Sequence, residues 1–213
     1  MDVKNNLLIV MLSLLATSCA RKEVSMDIDQ PFYANKKQHH ISIDNNTGNN
    51  YVFYSINNVG ETNYSLTGRY NVIIKDASDK EVKSKDIFVN ISGSPYTRKD
   101  TIAMNSEKKK GFDRDLFWHS NNREMKEKAV FVKPFSKEQL ERRFSLLISQ
   151  MSSTGGYYDL KKKQKYTLQL EVSFDSTEIK KQLTPSDLDS LQKNHIKIFH
   201  GKLTTRKVPL IVE

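Results

Sequence analysis

Residues 164–175 read Gln-Lys-Tyr-Thr-Leu-Gln-Leu-Glu-Val-Ser-Phe-Asp, and this stretch decides the fold class. Large apolar side chains occupy every second position: Tyr166, Leu168, Leu170, Val172 and Phe174. Successive side chains of a β-strand point to opposite faces, so the alternation predicts a strand with one face on a core and the other in water. It is the strongest strand signal in the chain.

Shorter segments of β-branched and aromatic residues lie on both sides of this stretch, separated by runs of turn-forming residues. They are His40–Asp44, Tyr51–Ile56, Arg69–Lys75, Val82–Ser92, Ala129–Val132, Ile196–Phe199 and Val208–Val212. The pattern predicts a mainly β fold, an antiparallel β-sandwich with one or two short helical insertions. A turn is expected at His200–Lys202. Because Pro209 cannot donate to a central ladder, we expect the last strand at an edge or closing the sheet.

Two segments carry helix signals. Ser136-Lys137-Glu138-Gln139 fits a capping box, and apolar residues follow at spacings of three and four until Thr154-Gly155-Gly156. This predicts a helix over about 140–151, although the same residues allow an extended strand at Arg143–Ile148. Thr184 and Pro185 predict the start of a second, short helix.

Residues 93–128 break the strand pattern with several charged runs, and they predict a long excursion between strands. Long loops of this kind tend to be functional or disordered, and the sequence leaves open whether this one is ordered. Phe117 and Trp118 are its apolar anchor, and aromatic anchors inside a charged rim are typical of protein interfaces. They are therefore candidate binding residues, the alternative being a tryptophan packed into its own loop.

A second candidate binding segment precedes the strongest strand. Tyr157 and Tyr158 are followed by Lys161, Lys162 and Lys163, which predicts a hairpin-like loop able to meet anionic headgroups or glycans. The alternative is a solubilising turn. The net charge of +9 over 213 residues likewise favours either anionic partners or a solvated lysine-rich surface. No pattern of aromatic and basic residues suited to stacking bases is present, so we expect no nucleic-acid partner.

The start of the chain predicts where the protein resides. The apolar run of residues 7–16 is too short to span a bilayer, which takes about 20 residues, and it ends near Cys19, the only cysteine. With Thr17 and Ser18, this stretch resembles the lipobox of bacterial lipoproteins, although Ala16 stands where that family usually has Leu. The resemblance implies cleavage between Ser18 and Cys19, lipidation of Cys19 and anchoring in a lipid bilayer. Alternatives are ordinary secretory cleavage and an N-terminal helix with a structural cysteine.

The resemblance also implies a domain organisation. Residues 1–18 would be a removed signal peptide, 19–37 a lipidated cysteine with a polar tether, and 38–213 one β-rich domain. Ala20 implies delivery to the outer membrane in that family. In architecture the domain resembles immunoglobulin-like or transthyretin-like sandwiches, and that resemblance implies no function.

No catalytic or metal-binding motif is found in the sequence. Asp113 and Asp115 are the nearest carboxylate pair, and their basic neighbours favour surface ion pairs. The histidines are scattered, and we expect no metal or cofactor.

The expected function is therefore a non-catalytic envelope binding module for a protein partner or an envelope polymer, with inhibitor or immunity-type roles included. The alternative is an envelope hydrolase acting on glycan or peptide. Carboxylates or histidines converging in a concave pocket would favour the hydrolase, and an exposed aromatic patch around Trp118 would favour binding.

Overall fold

The structure is a computed structural model that describes residues 22–35, 37, 39–54, 71–85, 96–144 and 158–213. The fold is mainly β, as the sequence predicts, with twelve strands and four helices in the described ranges. The strands are β1 (Val24–Ile28), β2 (Tyr33–Ala34), β3 (His39–Asn45), β4 (Asn50–Phe53), β5 (Asn71–Asp76), β6 (Glu81–Val82), β7 (Val130–Val132), β8 (Ser136–Phe144), β9 (Tyr166–Phe174), β10 (Ile196–Ile198), β11 (Gly201–Thr204) and β12 (Val208–Ile211). The helices are α1 (Arg98–Lys109), α2 (Leu116–Glu127), α3 (Ser176–Lys181) and α4 (Pro185–Lys193).

The strongest predicted strand, β9, is the centre of the largest sheet, whose order is β2-β12-β9-β5-β6. One edge of β9 pairs antiparallel with β5, and the other pairs first with β12 and then with β11. The register shifts by one residue between β11 and β12. Thr205 lies in this bulge, is buried, and exchanges backbone and side-chain hydrogen bonds with Leu170. β11 and β12 therefore act as one interrupted strand beside β9.

A second sheet, β1-β3-β8, packs over the first to form the sandwich. One cluster of buried side chains contains Met26, Ile28, Ile41 and Ile43 from the second sheet. The same cluster contains Ile74, Leu168, Leu170 and Leu210 from the first. Both sheets thus bury one face of their alternating strands in a shared hydrophobic core, the main source of stability in such a fold.

A third sheet, β10-β4-β7, joins the sandwich to the helices. Phe53 and Val132 belong to the main core, whereas Val52 and Tyr54 belong to a smaller cluster with residues of α2, α4 and the α3 region. Pairing is parallel between β10 and β4 and between β12 and β2, so the sheets are not purely antiparallel. Among the described residues, no helix is long and apolar enough to cross a membrane.

The excursion predicted for residues 93–128 lies between strands β6 and β7, but its described part is not a loop, because it forms the helical hairpin α1–α2. Both helices begin at polar caps. The Thr97 hydroxyl accepts from the Asp100 amide in a reciprocal capping box, and the Asp115 carboxylate accepts from the Trp118 amide. α1 has no continuous apolar face, so periodicity alone does not indicate it. The described residues also hold four helices instead of one or two insertions, and α3 was not predicted.

The helix predicted from the Ser136–Gln139 signature is also wrong over its described part. Residues 136–144 form β8, which pairs with β3 from Asn45–Ser136 to His39–Phe144. The Ser136 hydroxyl donates to the Lys133 carbonyl in the preceding turn, so it does not cap a helix. Pairing along β3 overrides the local signal. Residues 145–151 lie outside the described residues.

The tether and the domain boundary need correction as well. Residues 24–34, predicted as part of a polar spacer, contain β1 and β2, and Met26, Ile28, Tyr33 and Ala34 are buried. Their apolar side chains are part of the core, so the folded domain includes residues 24–34 and does not begin at 38. The turn expected at His200–Lys202 is shorter, because β11 begins at Gly201. β12 lies next to the edge strand β2, and Pro209 precedes the two residues that pair with it. The short helix predicted at Thr184 is confirmed as α4.

Candidate binding site

A cavity of about 350 Å³ lies between α1, α2 and the start of α4. Ile102 and Ala103 of α1 give its wall apolar surface, and polar side chains converge on it: Glu107 from α1, His119, Asn122 and Lys126 from α2, and Ser186 and Asp187 from α4. Cavities of this kind, with a few convergent polar groups, are the usual places for ligands. Two of the three helices that form the cavity, α1 and α2, lie in the segment 93–128 that the sequence predicts to be an excursion between strands.

Buried carboxylates hold α1 in place, since its only buried residues are Asp100 and Glu107. The Asp100 carboxylate accepts from Arg123 Nε at 2.7 Å and from the Thr97 backbone amide at 2.7 Å. Burial alone would raise the pKa of Asp100. The hydrogen bonds from Arg123 and Thr97 outweigh it, and the pKa lies below its ordinary value. Asp100 therefore stays ionised and ties α1 to α2.

Glu107 ties the other end of α1 to α4. Its Oε1 accepts from Lys110 Nζ at 2.8 Å and from the Ser186 hydroxyl at 3.2 Å. Lys110 Nζ also donates to the Ser186 hydroxyl at 2.9 Å. Carboxylate, ammonium and hydroxyl thus satisfy one another at the edge of the cavity.

Asp187, in the wall of the cavity formed by α4, caps that helix and forms an ion pair with Lys126. Its carboxylate accepts from the Thr184 backbone amide at 3.0 Å, which completes the capping box of α4, and from Lys126 Nζ at 2.7 Å. Asn122 Nδ2 donates to the same carboxylate and to the Gln182 carbonyl. Burial would raise the pKa of Asp187, but Lys126 and Thr184 more than compensate and lower it.

His119 differs from these residues because it is buried, at 2% exposure, and lines the cavity without a partner on Nε2 among the described residues. Burial lowers its pKa, although Glu107, Asp100 and Asp115 act in the other direction. The imidazole is therefore neutral at neutral pH, with one ring nitrogen a donor and the other an acceptor. A buried polar atom left without a hydrogen bond costs about 1–3 kcal/mol. Nε2 is itself closed to solvent, so a ligand group would reach it only after the side chains around it have moved.

We expect the buried histidines to make the protein less stable in mild acid. The pKa values of His39 and His119 both lie below the ordinary 6.5, mainly because of burial. As the pH falls below 6.5, the imidazoles of the unfolded chain become protonated while those of the folded protein stay neutral. The free energy of unfolding therefore declines until the pH reaches the lowered pKa of the folded imidazoles. Each histidine contributes at most about 1.4 kcal/mol per pH unit.

Urea unfolding at pH 7.5 and pH 5 measures this decline. His119→Asn removes one titrating group and is expected to flatten the pH dependence, whereas Asn121→Ala, an exposed neighbour on α2, is expected to keep it. Asp100 and Asp187 do not confuse the comparison, because their lowered pKa values place their effect below pH 4. An unchanged pH dependence in His119→Asn would contradict the assignment.

Of the two predicted anchor residues on α2, Phe117 is exposed to solvent, whereas Trp118 packs partly against its neighbours. Phe117 is exposed over 52% of its surface. Trp118 is half-buried and makes edge-to-face contacts with Phe112 at 5.2 Å and His119 at 5.0 Å between ring centroids. Trp118 therefore supports the wall of the cavity next to His119 and does not project as a free aromatic anchor.

The second predicted segment contains a buried residue. Tyr158 is only 6% exposed and donates its hydroxyl to the Val72 carbonyl at 3.2 Å, so its assignment to a binding surface is wrong. Lys161, Lys162 and Lys163 are exposed in the loop before β9. Tyr157 lies outside the described residues, as do Ser18 and Cys19. No described contact joins the lysine loop to Phe117 or Trp118.

The cavity residues were not predicted, and one signal could have indicated some of them. His119, Asn122 and Lys126 are spaced three and four apart and share one face of α2. That spacing has meaning only once the segment is known to be helical. In the described ranges, no group of three or more His, Cys, Asp or Glu side chains could hold a metal ion.

The comparisons with known proteins add nothing to this geometry. No family model matches the chain, and neither the curated proteins nor the solved structures contain a match.

Proposed function

We propose that the protein is an envelope lipoprotein, anchored in the bilayer through acyl chains on Cys19, that acts as a non-catalytic binding module. Its partner would be a protein or an envelope polymer, and inhibitor or immunity-type roles fall within this class. The observation that carries the binding assignment is His119, a buried imidazole that lines the cavity and whose Nε2 has no hydrogen-bond partner in the described part of the chain. The anchor rests on the lipobox resemblance alone.

The size and chemistry of the cavity describe the group it would accept. A volume of about 350 Å³ is at the small end for ligand sites, and it suits one side chain or one sugar ring of a larger partner. His119 and Asn122 offer neutral donors and acceptors, and Lys126 and Glu107 supply both signs of charge. A hydroxyl, amide or zwitterionic group meets these requirements.

The alternative is an envelope hydrolase, and two observations favour it: carboxylates and a histidine converge on the cavity, and the Ser186 hydroxyl lies within hydrogen-bond reach of Glu107 and Lys110. The charge pattern favours binding. Glu107 and Asp187 are each paired with a lysine, and the pKa of Asp187 is lowered, whereas a catalytic acid needs a raised pKa. No described nucleophile is hydrogen-bonded to His119 Nε2.

Ser186→Ala should abolish any hydrolysis and leave partner capture nearly unchanged.

For the anchor, Cys19→Ala is expected to block lipidation and to move the protein from the detergent phase to the aqueous phase after phase partitioning of native-host membranes. Intact mass of the wild type should fit residues 19–213 plus acyl chains. Retention of Cys19→Ala in the membrane would mean that an uncleaved helix or a partner holds the protein. An unmodified wild-type mass would indicate a secreted soluble protein.

For the cavity, a photo-crosslinking amino acid at Ser106, an exposed residue at its rim, is expected to trap the partner in living native-host cells. The same group at Ser78, in the turn after β5, is the control for non-specific crosslinking. Asn122→Ala in the Ser106 background should weaken the crosslink several-fold. Equal crosslinking from Ser106 and Ser78 would contradict the cavity as the binding site.

A further inference from the structure

Six strand ends meet at the end of the domain where the described chain begins. They are the starts of β1, β4, β8 and β10 and the ends of β3 and β7. Asn45 connects them, because its Nδ2 donates to the Asn49 carbonyl at 2.7 Å and to the Lys133 carbonyl at 2.8 Å. The Asn46 amide donates to the Glu23 carbonyl at 2.7 Å. We call this end, with residues 22–23, 45–49 and 133–136, the entry tip.

Phe135 is the most exposed large apolar side chain among the described residues, at 76%. It lies in the turn between β7 and β8 with a backbone φ of 51°, a region that residues other than glycine rarely adopt. Its amide donates to the Thr47 carbonyl at 3.2 Å, which fixes the turn to the entry tip. The protein thus holds a strained backbone that presents a phenyl ring to its surroundings. Backbone strain of this kind is a starting point for a functional hypothesis.

The covalent chain limits how far this tip can be from Cys19. Lys22 is three residues after Cys19, and three residues extend to at most about 10 Å. Asn46 Nδ2 donates to the Lys22 carbonyl at 3.0 Å, so Lys22 belongs to the folded tip and not to a spacer. An acylated Cys19 would therefore hold the entry tip at the level of the lipid headgroups.

The charge of the tip suits such a surface. Lys22 and Lys133 are exposed, and neither forms an ion pair with the described part of the chain. Glu23 is the only acidic residue among the described residues of the tip. Basic residues are attracted to an anionic leaflet, and an aromatic ring between them favours the boundary between headgroups and acyl chains.

We propose that the entry tip is a bilayer-contact surface: Phe135 inserts at the headgroup boundary of the membrane that holds Cys19, and Lys22 and Lys133 face anionic headgroups. This inference rests on the proposed lipidation of Cys19. Its consequence is a fixed orientation. The other end of the large sheet, where Asp76 pairs with Tyr166 and where Lys161–Lys163 lie, points away from that membrane.

The test uses the lipidated protein, in which acylation consumes the only native thiol. Phe135→Cys and Ser78→Cys are each labelled with an environment-sensitive fluorophore and reconstituted in phosphatidylethanolamine–phosphatidylglycerol vesicles that carry nitroxide lipids. Ser78 is the matched control, because it is exposed in the turn at the far end of β5. We expect several-fold stronger quenching at position 135 than at 78, together with a blue-shifted emission. Lys22→Glu with Lys133→Glu should reduce the quenching at 135.

Two results would overturn the proposal: equal quenching at both positions, or an effect at 135 that is identical in vesicles of phosphatidylcholine alone and insensitive to the double lysine change. Failure of the lipoprotein assignment gives a different result. In that case the wild-type protein carries no acyl mass and does not float with the vesicles, whatever the label reports.

Discussion

Leu168→Ala is expected to lower the free energy of unfolding by about 2–5 kcal/mol, the typical range for truncating a fully buried leucine. Leu168 has no exposed surface and is the third residue of β9, where it is paired with Ile74 on one side and Val208 on the other. No neighbour can move into the space without disturbing a paired strand, so the cavity should persist and the cost should fall in the upper half of that range.

Urea denaturation followed by far-UV circular dichroism measures this change. Ile211→Ala is the matched control, because Ile211 lies on the adjacent strand β12 but is 44% exposed. We expect that control to change stability by less than about 1 kcal/mol. A cost for Leu168→Ala as small as that of the control would mean that β9 is not central to the core.

Asp100→Ala is expected to lower the free energy that holds α1 in the folded protein by about 3–5 kcal/mol. The change leaves Arg123 without its buried partner and removes the capping box of α1. The Asp100 side chain has no exposed surface and accepts from Arg123, from the Thr97 amide and from the Thr97 hydroxyl. Few other contacts of α1 are buried. The helix should therefore detach locally while the sandwich remains folded.

Hydrogen exchange resolves the two parts of that expectation. Amides of α1 should lose protection in Asp100→Ala, and amides of β9 should keep most of theirs. Glu127→Gln is the control, since Glu127 bonds the same arginine from an exposed position and an exposed pair contributes little. Uniform loss of protection in α1 and β9 would show instead that α1 and the sandwich unfold as one unit.

The strands were predictable where one face is buried and the other is wet. β9, β3 and β5 have that alternation, and the sequence predicts them near their observed limits. β8 was mistaken for a helix because Ser136–Gln139 satisfies a local capping rule, while the decisive contact is with β3, a distant segment. Local patterns do not report such pairings, and tertiary context overrides them.

The helices of the candidate site were harder for a different reason. α1 buries Asp100 and Glu107, which look like surface charges in the sequence, so the rule that apolar residues face inward gives no signal there. Tyr158 shows the opposite error, since it lies next to a lysine run but is inside the core. The cavity itself brings together residues from three helices, and no spacing along the chain encodes that meeting.

The strands that pair with β9 are distant from it in sequence, and this affects the order of folding. One edge of β9 pairs with β5, about 90 residues before it, and the other pairs with β12, about 40 residues after it. Sheets built from such distant segments must close long loops before any contact repays the lost entropy, and they fold in milliseconds to seconds instead of microseconds. One edge of the central strand therefore remains unpaired until β11 and β12 have been synthesised. Should the chain be exported, as the proposed lipidation of Cys19 requires, this late pairing would delay compaction of the main core.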